Sequence, residues 1–328
     1  MCHVRQSAEA PKAGPAKELV LELPFYGSVS ALASDPIEKK PLYHWRPGSS
    51  ILSAGFFGCN LHCPFCQNWH ISQITKEKEP GGYHLSAEAL IAEAKADGQI
   101  AYTYSEPLVH AEYIIDCMEE AYRQNIANVL VTNGCINEEA ARAILSRTYA
   151  ANIDLKCFSE KTYRDILGGN LLTVMDFICL AVSLGVHTEI TTLVVPGLND
   201  GETELMNIAE FIAGLAEKNH NIQIPWHLSA YHPDWKWDAP PTNPATLSSI
   251  ANKAKNFLPH VYTGNITGEN NDTVCGKCGA LLVKRLGYRI DHGGICLPEK
   301  NGQKQNNKKT PEYYLCAACG AESPIRWQ

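Results

Sequence analysis

Cys59-Asn-Leu-His-Cys63-Pro-Phe-Cys66 places three thiols on one short loop, at offsets of four and three. Closely spaced thiolates of this kind hold iron–sulfur clusters. A four-iron cubane bound by three cysteines keeps one iron open to a small molecule unless a further protein ligand arrives. An open position separates a catalytic metal site from a structural one. Two other readings stay open from the loop alone: a zinc knuckle completed by His62 or His70, or three buried thiols. Zinc sites more often use two separated Cys-x2-Cys pairs, which favours the cluster.

Outward from this loop the chain alternates short apolar runs with amphipathic stretches. The runs predict strands over 51–57, 99–104, 128–132, 152–155, 188–195, 224–230 and 260–264. Between them, helical patterns cover 86–97, 107–124, 137–146, 171–184, 202–217 and 245–256. Ser86 and Pro107 are helix-start signals, and Gly185 is a stop signal. Strands alternating with helices argue for a parallel sheet wound by right-handed crossovers. The expected fold class is therefore α/β, with a partly open (β/α)6 barrel of the TIM type. The first twenty residues are Ala/Pro/Lys-rich and read as loosely ordered.

Active groups of parallel α/β folds gather at the carboxyl ends of strands. Here those ends carry Tyr104-Ser-Glu106-Pro, Thr132-Asn-Gly134, Asp154-Leu-Lys156, Val195-Pro-Gly197-Leu-Asn-Asp200 and Tyr231-His232-Pro233. Alternation puts Asp154 and Lys156 on one face, the barrel interior, and likewise Glu189 and Thr191. Each motif alone is weak, since Asn-Gly and Pro-Gly are common turns. Their joint position downstream of the cysteine loop carries more weight.

The Cys-x3-Cys-x2-Cys spacing, with Phe65 before the last cysteine, resembles the radical S-adenosylmethionine (SAM) superfamily. The chain also resembles the glycyl-radical activating enzymes typified by the pyruvate formate-lyase activating enzyme. It resembles more closely the radical SAM member of the AmmeMemoRadiSam system. The stretches that carry this likeness include Asp35-Pro-Ile-Glu-Lys-Lys-Pro-Leu-Tyr-His44, Ile100-Ala-Tyr-Thr-Tyr-Ser-Glu-Pro107, Val131-Thr-Asn-Gly134, Asn152-Ile-Asp-Leu-Lys156, Glu189-Ile-Thr-Thr-Leu-Val-Val-Pro-Gly-Leu-Asn-Asp200 and Pro225-Trp-His-Leu-Ser-Ala-Tyr-His-Pro233.

The resemblance implies a [4Fe-4S] cluster on Cys59, Cys63 and Cys66, with SAM on the open iron. It implies reductive cleavage of SAM to methionine and a 5′-deoxyadenosyl radical, which abstracts hydrogen from a substrate. It places Phe65 near the adenine, and Glu106 at the SAM amino group in a segment where activating enzymes have Gly-Gly-Glu. Tyr104 and Ser105 stand in place of those glycines. Asp154 and Lys156 match residues near the SAM carboxylate, Lys156 as the catalytic candidate, and His232 matches a histidine that contacts SAM. Thr132 joins the cofactor-binding set. Val131-Thr132 replaces an Asp-Thr pair that helps bind a monovalent cation, so that cation site is weakened. General chemistry agrees: an ammonium group wants a carboxylate partner, and a carboxylate wants Lys or His donors. The implied partners are a reductant such as a flavodoxin or ferredoxin, and the Memo-type protein and its companion.

Cys275-Gly-Lys-Cys278-Gly and Cys316-Ala-Ala-Cys319-Gly are paired knuckles. Together they give the four thiolates of a closed tetrahedral site, for zinc or iron. This predicts a small C-terminal zinc-ribbon or rubredoxin-like module, separated internally by the polar stretch 299–310. The expected organisation is an extension over 1–42, a radical SAM core barrel over 43–269 and the ribbon over 270–328. Lys277, Lys284, Arg285 and Arg289 read as a solvated face rather than a nucleic-acid surface. Cys117, Cys135, Cys157 and Cys179 lie in or beside apolar segments and read as buried thiols, Cys296 could substitute at the ribbon, and Cys2-His3 sits at a frayed terminus.

The 328 residues, 45% hydrophobic and 19% charged, suit one large domain with a small one beside it. The net charge of −7 argues against a coat for nucleic acid or anionic membrane. No apolar run approaches a membrane span and no export signal is visible. With 13 cysteines in ligand-like clusters, a reducing cytoplasm is expected. The competing reading is a non-catalytic iron–sulfur and zinc scaffold for redox or docking. It leaves Glu106, Asp154, Lys156 and His232 around an open iron without a purpose.

Overall fold

Seven parallel strands follow one another across a single sheet in the computed structural model, which describes residues 4, 6–9, 19–74, 81–220, 222–268, 271–297 and 313–327. They are Ser50–Gly55, Gln99–Thr103, Ala127–Thr132, Ala150–Asp154, His187–Val194, Trp226–Ala230 and Val261–Gly264. Each pairs with its predecessor, as in Leu52↔Ile100, Thr132↔Ile153 and Thr191↔His227. An eighth strand, Ala31–Pro36, adds antiparallel to the first through Asp35↔Ile51 and Ala31↔Gly55. The two edge strands do not pair with one another, so the sheet stays open. The core thus carries one strand more than a six-fold barrel, and an antiparallel edge drawn from ahead of residue 43.

Gln99–Thr103 is buried at every residue, and each of the other six parallel strands at all but one. Helices cover one face. Helix Ala111–Arg123 buries Tyr113, Ile114, Cys117, Met118 and Ala121, a stripe at helical spacing. Helices Ala87–Glu93, Glu138–Leu145 and Leu171–Ser183 open on Ser86, Asn137 and Asn170, whose side chains accept from Ala89 N, Ala140 N and Thr173 N. Gly185, at φ +77°, follows the last of these, as its stop signal predicted. Helices Glu202–Lys218 and Pro244–Ala254 complete the set of long helices. Among the described residues no single helix is long and apolar enough to cross a membrane.

Two expectations need correction. Part of the first twenty residues is ordered: Gln6–Glu9 pairs antiparallel with Leu19–Glu22. The apolar run Leu19-Val20-Leu21 supplies the strand that composition hid. The segment after the fourth strand, for which the sequence pattern predicted no element, is helical. It forms a turn of α-helix, Glu160–Thr162, that widens into a π-turn, Tyr163–Leu167. The stretch 299–310 and Cys2-His3 lie outside the described residues.

The amino-terminal end of the barrel is closed by the segment 41–45. Asn152 Nδ2 donates to Pro41 O at 2.8 Å, and Trp45 Nε1 to Gln99 Oε1 at 3.1 Å. Glu189, fully buried, accepts from Tyr43 N, His44 N, His187 Nε2 and His227 Nε2 at 2.7–3.0 Å. The C-terminal strands dock beneath this floor. Arg285 donates to Tyr43 O at 2.7 Å and lies 4.4 Å from the Tyr43 ring centroid. Arg285 was expected on a solvated face; instead it is buried, because its guanidinium finds carbonyl partners and aromatic faces there. Arg326 N donates to His44 O at 2.7 Å.

Burial pushes the His260 imidazole beside this floor down to about 4. Burial opposes ionisation of Glu189, but its two histidines outweigh it and hold the carboxyl well below its ordinary value. An unfolded chain takes up the His260 proton near pH 6.5, whereas the folded chain resists until about 4. Stability present above pH 6.5 is therefore lost as pH falls through that window, and Glu189 extends the loss to lower pH. The melting temperature is expected to fall steadily from pH 6.5 to 4. His260→Gln should flatten that slope, by at most about 1.4 kcal/mol per pH unit for one proton. A variant with the parental slope would show that His260 does not drive the fall.

Candidate active site and a second thiolate site

The cysteine loop leaves the first strand at Gly55 and is fastened by its neighbours on several sides. Gly58 N donates to Ile71 O at 2.8 Å, and His62 N to Leu167 O, in the π-turn, at 2.7 Å. Asn60 Nδ2 donates to Cys135 O at 2.6 Å, and Lys236 N to Pro64 O at 3.0 Å. Close packing leaves little slack: a Cβ at Gly169 would meet Leu61 Cδ2 at 2.5 Å. Donors also reach the sulfurs. Leu61 N lies 3.3 Å and Asn133 Nδ2 3.6 Å from Cys59 Sγ, and Ser72 Oγ lies 3.3 Å from Cys66 Sγ. Hydrogen bonds to sulfur are one way a protein tunes an iron–sulfur site.

Among the described residues one group of three or more Cys, His, Asp or Glu has donor atoms all within 4.8 Å of one another, and it is Cys275, Cys278, Cys316 and Cys319. The thiols of Cys59, Cys63 and Cys66 are set wider, and neither His62 nor His70 closes with them around a single ion. The all-thiol donor set, wide spacing and N–H donors fit a larger iron–sulfur cluster. Burial pushes the Cys63 thiol up to about 12, and that of Cys59 well above its ordinary value. Metal binding therefore has to displace their protons.

The next strand ends meet this loop. Glu106 is 1% exposed. Its carboxylate accepts from Leu108 N at 2.9 Å, Thr132 Oγ1 at 2.6 Å and Asn133 N at 2.7 Å. Burial raises its pKa to about 7 against the pull of these bonds. Thr132 and Glu106 thus touch each other. At the fourth strand end Lys156 Nζ lies 3.1 Å from Asp154 Oδ2, on one face as alternation predicted. Burial opposes the charge on Lys156, but Asp154 and the Cys63 sulfur outweigh it and hold the ammonium well above its usual range. Its side chain is 19% exposed. His232 is exposed and its Nε2 lies 2.9 Å from Gln67 Nε2, on the residue after Cys66. Phe65 is buried in the main apolar cluster.

Two buried side chains that motif reading treated as turn residues hold these ends together. Asn133 Nδ2 also donates to Asn60 Oδ1 at 2.9 Å, joining the third strand end to the cysteine loop. Asn199 Nδ2 donates to Lys156 O at 2.5 Å and Leu193 O at 2.8 Å, while its Oδ1 accepts from Val195 N at 2.6 Å. Their signal in the sequence was position: each sits one or a few residues past a strand end.

At the C-terminus the two knuckles share one pattern. Cys275 N donates to Ala280 O and Gly279 N to Cys275 O; Cys316 N donates to Ala321 O and Gly320 N to Cys316 O. Gly279 and Gly320 lie at φ +74° and +67°, the left-handed turn that glycine adopts freely. Across the site Cys275 and Cys319 sulfurs are 3.9 Å apart and those of Cys278 and Cys316 3.7 Å. A tetrahedral ion with metal–sulfur bonds of about 2.3 Å sets its sulfurs about 3.8 Å apart. Cys296, on the strand beside Cys316, is exposed and outside the group.

The Radical SAM superfamily model matches residues 55–210. An uncharacterized protein of Methanocaldococcus jannaschii is 38% identical over 266 residues, which cover 79% of this chain and 77% of that protein. The pyruvate formate-lyase-activating enzyme of Clostridium pasteurianum is 25% identical over 192 residues, 55% of this chain and 77% of the enzyme. Among solved structures, a radical SAM methyltransferase from Sphaerobacter thermophilus aligns with a TM-score of 0.51 at 14% identity, over 66% of each chain. At that identity the likeness concerns the fold alone.

Metal analysis is expected to find one ion per chain at the four-thiol site. Cys316→Ser should lose that ion and leave metal bound at 59–66 unchanged. Retention of the ion would show that three thiols suffice, or that Cys296 takes the vacant place.

Proposed function

This chain belongs to the radical SAM superfamily and is an enzyme of that type, and from that premise we propose that it cleaves SAM reductively to abstract hydrogen from a protein substrate. Cys59, Cys63 and Cys66 hold a [4Fe-4S] cluster in this reading, with SAM on its open iron. When bound, the pair supplies a strong one-electron reductant, and a 5′-deoxyadenosyl radical with methionine as the second product. The electron comes from a flavodoxin- or ferredoxin-like donor.

The observation that carries the reading is the convergence of Asp154–Lys156, Glu106 and His232 on the three-thiol loop. Lys156 presents its ammonium beside the Cys63 sulfur and meets the SAM carboxylate. Glu106 meets the SAM ammonium through its carboxylate, held in place by Thr132 and Asn133. His232 and Phe65 bound the nucleoside. Helices on one face and the floor at the amino-terminal end leave the carboxyl ends of the strands as the approach for substrate.

Similarity to the pyruvate formate-lyase-activating enzyme supports a glycyl position of a partner protein as the target. We place the chain in the AmmeMemoRadiSam system, acting with a Memo-type protein and its companion in the cytoplasm. The C-terminal module over 270–328 is read as a zinc ribbon, with iron as the other ion an all-thiolate site accepts.

Anaerobic reconstitution, reduction and EPR with and without SAM test the reaction. A SAM-dependent change in the cluster signal, with 5′-deoxyadenosine release, is the expected result. A cluster indifferent to SAM would overturn it. Lys156→Ala should raise the KM for SAM by roughly ten- to a hundred-fold, the scale of one lost charge-assisted hydrogen bond. An unchanged KM would remove Lys156 from the SAM site.

A further inference from the structure

Among the described residues six non-glycine residues have positive φ, and two of them, Tyr104 and Trp235, belong to loops that hold the cysteine loop. Tyr104, at φ +70°, is the residue at which the second strand turns toward Glu106. A bulky side chain in the left-handed region is an outlier that the surroundings must enforce. Here the surroundings are specific. The Tyr104 hydroxyl donates to Asp35 Oδ2 at 2.6 Å. Lys40 Nζ lies 4.4 Å from the ring centroid and 2.9 Å from the same Asp35 oxygen, and Lys39 Nζ is 2.9 Å from the other. The ring lies on the backbone of Gly55, where a Cβ would come within 2.8 Å of Tyr104 Cδ2. Burial, then the bond to Asp35, pushes the phenol up to about 12, so it remains a donor at neutral pH.

The backbone of the same residue grips the cysteine loop. Tyr104 O accepts from Asn68 Nδ2 at 2.6 Å. Ser105 Oγ donates to Phe56 O at 2.8 Å, and Glu106 N to Gly58 O at 3.3 Å. The left-handed turn therefore aims a carbonyl at one end of the cysteine loop and an amide at the other.

We propose that Tyr104, held by Asp35 and Lys40, is a positioning residue: its side chain enforces a turn that a glycine would only permit, and so fixes Glu106 against the cysteine loop. Its effect on SAM binding rests on the function proposed above; the clamp itself does not.

Hydrogen–deuterium exchange of the purified protein reads the clamp directly, and SAM kinetics read its consequence. Tyr104→Phe removes the hydroxyl–carboxylate bond, and Asp35→Asn removes the charge that strengthens it and that holds Lys39 and Lys40. Both should speed exchange of the Ser105, Glu106 and Leu108 amides by roughly ten-fold, the scale of one hydrogen bond to a charged group, with the strands unchanged. Both should raise the KM for SAM by a similar factor while kcat stays within about two-fold. Tyr104→Gly should lose the clamp in the same way yet melt above Tyr104→Ala, because alanine keeps the strain and glycine does not. Unchanged exchange in both the Phe and the Asn variants would overturn the proposal, whatever their melting temperatures. If the parent protein released no deoxyadenosine, the function reading would fall while the exchange comparison would still decide the clamp.

Discussion

A buried carboxylate that draws its three donors from neutral groups, Glu106, organises the site. Leu108 N lies just past the second strand, and Thr132 Oγ1 and Asn133 N stand at the end of the third. Two strand ends become one unit because burying an ionised oxygen without donors is costly. The cysteine loop then attaches to that unit through Glu106 N, Asn68 and Asn133. Three thiols on a short loop cannot hold their own geometry, since loop backbone has few internal partners. Here the partners come from the segments after the second, third, fourth and sixth strands.

The opposite end of the barrel uses the same device with a different donor set. Glu189 collects two histidines and two backbone amides, and so ties the fifth and sixth strands to the segment 43–44. Arg285 and Arg326 reach that segment from the C-terminal strands. The four-thiol module is therefore bonded to the barrel floor and is not a free appendage. Its own apolar cluster is small, formed by Leu282, Val283, Ile295, Tyr314 and Ile325 beside two of the cysteines. A core of that size needs a cross-link, which paired knuckles around an ion can supply.

Strain at Tyr104 connects the two ends. The residues that hold its ring, Asp35 and Lys40, lie on the antiparallel edge strand and the turn after it, just ahead of the floor segment. The edge strand therefore does more than widen the sheet. It supplies the carboxylate that fixes a turn at the mouth.

Much of this was legible in the sequence. Periodicity located all seven parallel strands and six helices within a few residues, because apolar runs and caps are local signals. Cysteine spacing marked the C-terminal four-thiol group for the same reason, and alternation put Asp154 beside Lys156. The antiparallel strand and the N-terminal strand pair were not legible because polar and Pro-rich composition masks their patterns, and the burial of Arg285 was not because it depends on Tyr43, distant in the chain. Composition could not show that Asn133 and Asn199 join strand ends, or that Tyr104 would be held left-handed. What the sequence by itself determined was the clustering of the cysteines and the alternation of elements, which follow from local spacing. Only the tertiary structure decided which buried polar group meets which donor, because that requires residues far apart in the chain to be brought within hydrogen-bond distance.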